Sequence, residues 1–472
     1  MNGSGQACRW VCLVALTVLL LVGCGGGDSS SPDLSEGSEP ASTTSTVART
    51  TPGESSESTF LDSSAGTTQP PISDPTTTTS ASTESTVTSD RVTTEAETTT
   101  TTTLSQEPVT VPDDSRQGLD LMVAYATETW PTDWGNRSID LSELLLGIGV
   151  PDPRDAIPPI DNPIYESLEE AGEWLDPRAP GVLVALGGET RFYALSILHR
   201  HEIVNDEIAG IPVAVTYCPL CNTALTFDRR VGDQVLRFGV SGLLRNSDLV
   251  MWDDRSVSLW QQVTGEAIVG TATGTFLTPI PTAIVSFGEY SDSYPNGLSM
   301  SRDSGLGIPY GFNPYEGYSS RDAPYPFFNG EVDPRYRALD RVVGVTLGGG
   351  AKAFPFPVLA EVKVVNDSVG GVPIAVFWGG DTADALDTRV VREGRSVGTG
   401  IAYLRQVDGR PLNFIAEGEL FRDQETSSTW NLLGEAVDGP LAGTRLEIAV
   451  HRNEFWFVWG AFFPDGEVYE IG

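Results

Sequence analysis

The sequence predicts a mainly β or α+β domain of two internally repeated half-domains with pseudo-twofold symmetry, preceded by a disordered stalk. Three observations support this. Abundant Val, Ile, Thr and aromatic residues with frequent Gly and Pro favour strands joined by tight turns. A long stretch recurs at a constant offset of 161 residues, as from Asn205 to Asn366. Before the domain lies a Thr- and Ser-rich segment with too few apolar residues to form a core.

The N-terminus predicts a lipoprotein signal peptide over residues 1–23. One basic residue, Arg9, precedes an apolar run from Val11 to Val22. Its length of about a dozen residues suits a signal peptide and is below the ~20 residues of a membrane-spanning helix. Leu21-Val22-Gly23-Cys24 resembles the lipobox of bacterial lipoproteins, which implies cleavage before Cys24 and acylation of its thiol. We therefore expect a lipid-anchored protein on the extracytoplasmic face of the bacterial cell membrane; an ordinary secretory signal is the alternative.

Residues 24–115 are predicted to be the lipidated cysteine and a disordered linker. The segment is rich in Thr, Ser, Pro, Glu and Gly, with an unbroken threonine run from Thr98 to Thr103. Such a composition buries too little apolar surface to offset its conformational entropy. As a flexible coil it spans on the order of 50 Å, which spaces the domain from the envelope surface.

The net charge of the chain limits the classes of partner that it can bind. The chain has 29 basic and 64 acidic residues and a formal net charge of −35. Nucleic acid is excluded as a partner because phosphate binding needs a basic face. The remaining expected partners are the membrane, through the lipid anchor, and an envelope ligand or protein.

The duplication organises the domain. Val184–Tyr217 aligns without gaps on Val345–Trp378. Each copy predicts strands around a Gly-Gly turn, a short helix around Leu195 or Phe356, and a buried strand such as Val213–Tyr217. The resulting divisions are a lead-in at 116–180 with a helix at 164–174, a first half at 181–300, a connector at 301–341 and a second half at 342–472.

Some polar residues recur in both copies and are therefore assigned to the framework. Asn205-Asp206 and Asn366-Asp367 are interpreted as turn residues. Asp253 and Asp423, each seven residues before a Trp, are predicted to accept turn hydrogen bonds.

Several motifs resemble the bacterial domain-of-unknown-function 3179 family, and together they span nearly the whole predicted domain. The matching stretches are Asp155–Pro163, His201–Asp206, Tyr217–Ala224, Ser241–Met251 and Tyr310–Tyr315. The resemblance implies an extracytoplasmic or envelope-associated protein and supplies no activity.

The candidate site comes from residues that the second copy lacks. His199, His201, Cys218 and Cys221 are replaced by Ala360, Val362, Gly379 and Thr382. The cysteines form a Cys-x-x-Cys motif, which lets two thiolates bind one metal ion, with His201 as a third ligand and His199 as a fourth. Sulfur and nitrogen ligands suit copper(I) or zinc(II).

Other interpretations of these residues remain open. The two thiols can instead cycle between dithiol and disulfide, or form a structural pair, and His201 can be a core or capping residue. Arg245, Asn246, Ser247 and Asp248 have no clear second copy and are candidates for a polar ligand pocket, together with Gln261 and Gln262.

Two further classes of function are compatible with the sequence. Aromatic-rich loops on a tethered domain favour a non-catalytic module that binds an envelope glycan or peptide. A hydrolase using carboxylates such as Asp248 and Asp253 is a third and weaker hypothesis.

Overall fold

A computed structural model describes residues 121–150 and 152–471. The predicted signal peptide, the Cys24 lipidation site and the whole of the predicted linker lie outside the described residues. Within the described residues, no helix combines the length and apolarity needed to span a membrane.

The described residues form a mainly β structure, as predicted. The strands that precede residue 301 are β1 (Leu144–Leu146), β2 (Tyr165–Ser167), β3 (Pro180–Leu186), β4 (Glu189–Ala194), β5 (Ile203–Ile208), β6 (Ile211–Cys218), β7 (Thr223–Asp228), β8 (Arg230–Val231), β9 (Gln234–Val235), β10 (Phe238–Arg245), β11 (Asp248–Asp253), β12 (Leu259–Gln261), β13 (Ala267–Val269), β14 (Thr278–Ile280), β15 (Thr282–Ser286) and β16 (Leu298–Met300).

The strands after residue 340 are β17 (Arg341–Leu347), β18 (Gly350–Pro355), β19 (Val364–Val369), β20 (Val372–Gly379), β21 (Thr399–Leu404), β22 (Gln406–Val407), β23 (Arg410–Pro411), β24 (Phe414–Glu417), β25 (Leu420–Asp423), β26 (Thr429–Trp430), β27 (Ala436–Asp438), β28 (Glu447–Ile448), β29 (His451–Phe455) and β30 (Glu467–Val468). The α-helices are α1 (Leu121–Thr129), α2 (Leu168–Gly172), α3 (Leu195–Leu198), α4 (Phe287–Ser293), α5 (Phe356–Val362) and α6 (Trp456–Phe462). The short helices predicted around Leu195 and Phe356 are thus present.

Strand pairing follows the same order before and after the connector. In the first half the sheets run β15-β3-β4-β16-β2, β14-β7-β6-β5 and β1-β10-β11-β12-β13, with a β8-β9 hairpin. In the second they run β29-β17-β18-β30, β19-β20-β21-β28 and β24-β25-β26-β27, with a β22-β23 hairpin. In each half one pair, β16 with β4 or β30 with β18, is parallel. Only β1 and β2, from the lead-in, lack a counterpart among the described strands.

The predicted aspartate turns are confirmed in both halves. The Asp253 carboxylate accepts hydrogen bonds from the Ser258 backbone N–H (3.1 Å) and the Trp260 indole N–H (3.0 Å). The Asp423 carboxylate accepts from the Ser428 backbone N–H (3.0 Å) and the Trp430 indole N–H (2.9 Å). Each carboxylate therefore fixes a turn and satisfies a buried tryptophan.

The turn interpretation of Asn205-Asp206 and Asn366-Asp367 is wrong, because both pairs lie within strands β5 and β19. The Asn205 amide donates to the Phe238 carbonyl (2.8 Å) and accepts from its N–H (2.9 Å). Asn366 makes the same two bonds to Phe414, each at 2.8 Å. These asparagines satisfy the backbone of a neighbouring sheet, a long-range role that local turn statistics do not reveal.

The helix predicted at 164–174 is shorter than expected. Tyr165–Ser167 pairs with β16 as a strand, and the helix proper is Leu168–Gly172. Ser167 ends the strand and caps the helix, with Glu170 completing a capping box.

The two halves pack through their equivalent strands. β15 packs on β21, β29 packs on β7, and β15 and β29 contact each other. One core of buried apolar side chains includes residues from both halves. The loop after β6 lies at this junction, since the Cys221 carbonyl accepts a hydrogen bond from the Phe455 N–H (3.0 Å).

We predict that Asp253→Asn and Asp423→Asn each lower the free energy of unfolding by about 2–4 kcal/mol, since an amide cannot accept all the bonds of the buried carboxylate. Urea denaturation measures the effect. Asp292→Asn, at an exposed position, is the control and should change stability by less than about 0.5 kcal/mol. Equal stability of all three variants would contradict this role.

Candidate metal centre

The two cysteines lie at the tip of the β6-β7 hairpin. Cys218 is the last residue of β6 and pairs with Thr223, the first residue of β7. The Cys221 N–H donates to the Cys218 carbonyl (3.2 Å), which closes a tight turn. Asn222 follows with φ of 53°, a left-handed conformation that asparagine adopts more readily than most residues. The turn therefore holds both thiols at one end of the sheet.

A second hairpin supplies a carboxylate to the same place. β10 and β11 are joined by Asn246 and Ser247, both with positive φ (50° and 65°), the signature of a two-residue hairpin turn. Asp248, the next residue, begins β11. The Ser247 carbonyl accepts a weak hydrogen bond from the Cys218 thiol at 3.7 Å.

The hairpin tips bring three potential ligands together. The Cys218 and Cys221 sulfur atoms and an Asp248 carboxylate oxygen all lie within 4.8 Å of one another. Cys218 is 2% exposed and the other two are fully buried. Both thiols are free, without a disulfide between them. This spacing lets the three groups bind one ion.

Asp248 is only partly satisfied by the protein. Its Oδ2 accepts from the Gln261 amide (2.6 Å) and from the Val263 N–H (3.0 Å). Its Oδ1 is buried and has no hydrogen-bond partner among the described residues. Burial raises the pKa of this carboxyl to about 6, against the opposing effect of its hydrogen bonds.

The thiols are poorly suited to exchange chemistry without an ion. Burial raises the pKa of Cys218, and the nearby acidic groups Asp248 and Glu202 act in the same direction. Burial also raises the pKa of Cys221 well above its ordinary value. Thiol-disulfide exchange requires an accessible thiolate, which these conditions disfavour.

A second buried acid, Glu202, adjoins the thiols. It has φ of 56° and its carboxyl accepts a long hydrogen bond from the Tyr315 hydroxyl (3.4 Å). Burial raises its pKa to about 8, with a further contribution from Asp248. Arg245 is engaged elsewhere, by Glu143 (2.8 Å) and the Gln261 side-chain oxygen (3.4 Å). Among the described residues, no salt bridge joins a cation to Asp248 or Glu202.

The histidines are placed differently from the cysteines. The two ring nitrogens of His201 contact the Pro158 carbonyl and the Tyr310 hydroxyl, each at 2.6 Å. His199 lies between Tyr217 and Tyr315, with ring centroids 5.7 and 5.9 Å away. Its nitrogens have no hydrogen-bond partner within the described ranges, and burial lowers its pKa to about 3. Neither histidine belongs to the group formed by the two cysteines and Asp248.

The polar stretch at 245–248 contributes unequally. The Asp248 carboxylate lies close to both thiols, and the Ser247 carbonyl accepts a hydrogen bond from the Cys218 thiol. Asn246 contributes only its positive φ, which forms the turn. Arg245 donates a hydrogen bond to the side-chain oxygen of Gln261, and the Gln261 amide in turn donates to Asp248. Gln262 donates instead to the Thr216 hydroxyl at 2.9 Å.

Asp248 is predicted from the sequence as part of a ligand pocket, not as a metal ligand. A signal was available, because the stretch from Arg245 to Asp248 has no second copy. The structure explains the difference: the equivalent hairpin β24-β25 turns at Gly418 and Glu419 and is shorter. Counted from Asp253 and Asp423, the position of Asp248 is that of Gly418, a turn residue with no side-chain ligand.

These features define the class of protein. It is a mainly β protein whose two halves share a strand order, and its first half holds a buried group of two thiols and a carboxylate. The family model described as protein of unknown function (DUF3179) matches residues 154–466. The chain belongs to this family, which confirms the resemblance found in its motifs. No curated protein and no solved structure matches the chain.

We predict that Glu202→Gln flattens the pH dependence of stability in metal-free protein. An acid whose folded pKa is raised stabilises the fold fully below its unfolded pKa and loses this contribution as pH rises. For Glu202 the window extends from about 4.5 to about 8, with a loss of up to ~1.4 kcal/mol per pH unit. Urea denaturation in a chelator at several pH values measures it.

The control is Glu207→Gln, on the exposed side of β5. Its unfolding free energy should follow the wild-type pH profile. If the Glu202 variant also follows that profile, Glu202 does not titrate in this window.

Proposed function

We propose that the protein is a metal-binding lipoprotein whose Cys218, Cys221 and Asp248 bind one zinc(II) ion. The observation that carries the proposal is the convergence of two sulfur atoms and a carboxylate oxygen within 4.8 Å in a buried place. Buried acidic groups are stable when they are protonated or when a cation neutralises them. One divalent ion satisfies all three groups at once.

The buried location favours metal binding over thiol redox exchange. An exchange partner must reach a thiolate sulfur, and the two sulfurs belong to residues that are 2% and 0% exposed. A metal ion needs less room, and it stabilises the thiolates that burial alone disfavours. The raised thiol pKa values are compatible with binding that releases protons.

The third ligand favours zinc over copper(I). Copper(I) prefers soft sulfur ligands, whereas zinc accepts thiolate and carboxylate together. Asp248 Oδ1 is buried, has no hydrogen-bond partner among the described residues and can act as an oxygen ligand. Three protein ligands leave one position of a tetrahedral zinc site for a further group.

We further propose that the halves are related by pseudo-twofold symmetry through an ancient duplication. Their matching strand orders support this, as does the reciprocal packing of β15 on β21 and of β29 on β7. The second half then keeps the framework without the ligands, since Gly379 and Thr382 stand in place of the cysteines. Metal chemistry belongs to the first half alone.

We place the protein at the extracytoplasmic face of the membrane, anchored through acylated Cys24. The apolar run before Cys24 and the Thr- and Ser-rich linker after it support this proposal. A linker with a reach on the order of 50 Å then holds the metal-binding domain away from the bilayer.

We predict that the full-length protein retains about one equivalent of zinc after gel filtration and that Cys218→Ser/Cys221→Ser abolishes it. Asp248→Asn keeps both thiolates and should weaken zinc affinity at least ~10-fold. Elemental analysis gives the metal content, and competition with a chromogenic chelator gives the affinity.

The matched control is Asp253→Asn, a buried carboxylate at the opposite end of β11. It should destabilise the fold and leave zinc stoichiometry unchanged. Zinc that persists in the double cysteine variant, or copper(I) in place of zinc, would contradict the proposed site.

We predict that zinc affinity rises steeply with pH. Both thiols have raised pKa values, so binding releases two protons, and affinity increases about 100-fold per pH unit between pH 6 and 8. Below about pH 6 Asp248 is also protonated, which steepens the dependence. Competition titrations across pH 5–8 test this; a tenfold or smaller change per unit would show that the thiols are not both ligands.

A further inference from the structure

The connector between the halves packs against the candidate metal site. Its segment 310–328, called the strap from here on, lies between β16 and β17 and contains one helical turn, Tyr318–Ser320. It joins no sheet, and its one bridge to another strand-like segment is between Phe312 and Val390. A segment held by separate hydrogen bonds and ring contacts opens locally at a lower free-energy cost than a strand in a sheet.

The strap bonds to both hairpin tips that carry the metal ligands. The Tyr318 hydroxyl donates to the Leu220 carbonyl (2.9 Å), in the loop between the two cysteines. The Ser247 N–H, directly before Asp248, donates to the Phe327 carbonyl (3.0 Å). The strap therefore holds the backbone beside all three ligands.

Two further tyrosines of the strap bond to the residues before β5. The Tyr310 hydroxyl lies 2.6 Å from His201 Nε2, and the Tyr315 hydroxyl donates to Glu202 at 3.4 Å. At the centre of the strap, the fully buried Tyr318 ring stacks on Tyr325, with ring centroids 4.5 Å apart. These rings contribute to the burial of the site.

Other bonds hold the strap to the second half. The Gly317 N–H donates to the Asp387 carbonyl (2.6 Å), and the Ser319 hydroxyl donates to the Asp384 carboxylate (2.7 Å). None of these residues contacts the metal ligands through the bonds named here. The strap can therefore part from the ligands while it stays attached to the second half.

We propose that the strap is a gate that controls the entry and release of zinc. This inference rests on the zinc site proposed above. Cys218 is 2% exposed, and Cys221 and Asp248 are fully buried, so an ion reaches them only when a covering element moves. The hairpins that carry the ligands belong to sheets, whereas the strap belongs to none. Opening the gate speeds the entry and the release of zinc together and leaves its affinity unchanged.

The first test measures opening without metal. Full-length protein in a chelator is alkylated with iodoacetamide, and mass spectrometry of the peptide that holds Cys218 and Cys221 gives their rate. Tyr310→Phe/Tyr318→Phe leaves the Leu220 carbonyl and His201 Nε2 without these partners in the closed state. Alkylation should therefore be at least ~10-fold faster than in the wild type. Tyr310→Phe alone, at a half-buried position, guards against loss of folding and should be about 3-fold faster.

The matched control is Tyr403→Phe. It removes the same type of bond, from a fully buried tyrosine to the Leu432 carbonyl (2.8 Å) in the second half, and should keep the wild-type alkylation rate. Local opening predicts a rate that does not change with urea below the unfolding transition. Wild-type rates in both strap variants, or rates that rise with urea as steeply as global unfolding, would overturn the gate.

The second test follows transfer of zinc from loaded protein to a chromogenic chelator. The double strap variant should release zinc at least ~10-fold faster, with an equilibrium affinity within ~3-fold of the wild type. A loss of affinity as large as the gain in release rate would show that the tyrosines hold the site itself, and the gate would be wrong. Wild-type protein that retains no zinc would instead refute the zinc site, on which the alkylation rates do not depend.

Discussion

The burial of the Cys218–Cys221 loop between the two halves is the constraint on which the other features depend. The second half satisfies the backbone of this loop, with Phe455 donating to the Cys221 carbonyl at 3.0 Å. From the connector, the Tyr318 hydroxyl donates to the Leu220 carbonyl at 2.9 Å. The second half therefore helps to hold the candidate site although it supplies none of the three ligand atoms. Opening the loop would expose carbonyls, thiols and the surrounding apolar core together.

Burial also determines the electrostatics of the site. Asp248 and Glu202 lie where no water shell stabilises their charge, so their pKa values rise to about 6 and about 8. Burial favours the protonated, neutral form of these groups. A bound divalent ion favours the charged form of each ligand instead. In the second half, Gly379 and Thr382 replace the cysteines, and Gly418 in the shorter β24-β25 hairpin takes the position of Asp248. The same arrangement of strands thus forms with the metal ligands at its hairpin tips, in the first half, and without them, in the second.

Comparison of the halves separates framework residues from residues that distinguish one half. Asp253 and Asp423 make matching bonds to a turn and to a tryptophan, and Asn205 and Asn366 bridge equivalent strands. Among the residues without a counterpart in the other half, the three candidate metal ligands lie at hairpin tips. The candidate metal ligands therefore lie where the halves differ.

Local patterns in the sequence determined the mainly β class, the short helices around Leu195 and Phe356, the aspartate turns, the family and the two cysteines. These features depend on residues a few positions apart, for which strand periodicity and turn chemistry are sufficient. Tertiary structure alone decided that Asp248 joins the cysteines and that His201 contacts Pro158 and Tyr310. It also decided that Asn205 lies in a strand. The reason is that sheet packing sets the direction and the neighbours of a side chain, and those neighbours lie tens of residues away along the chain.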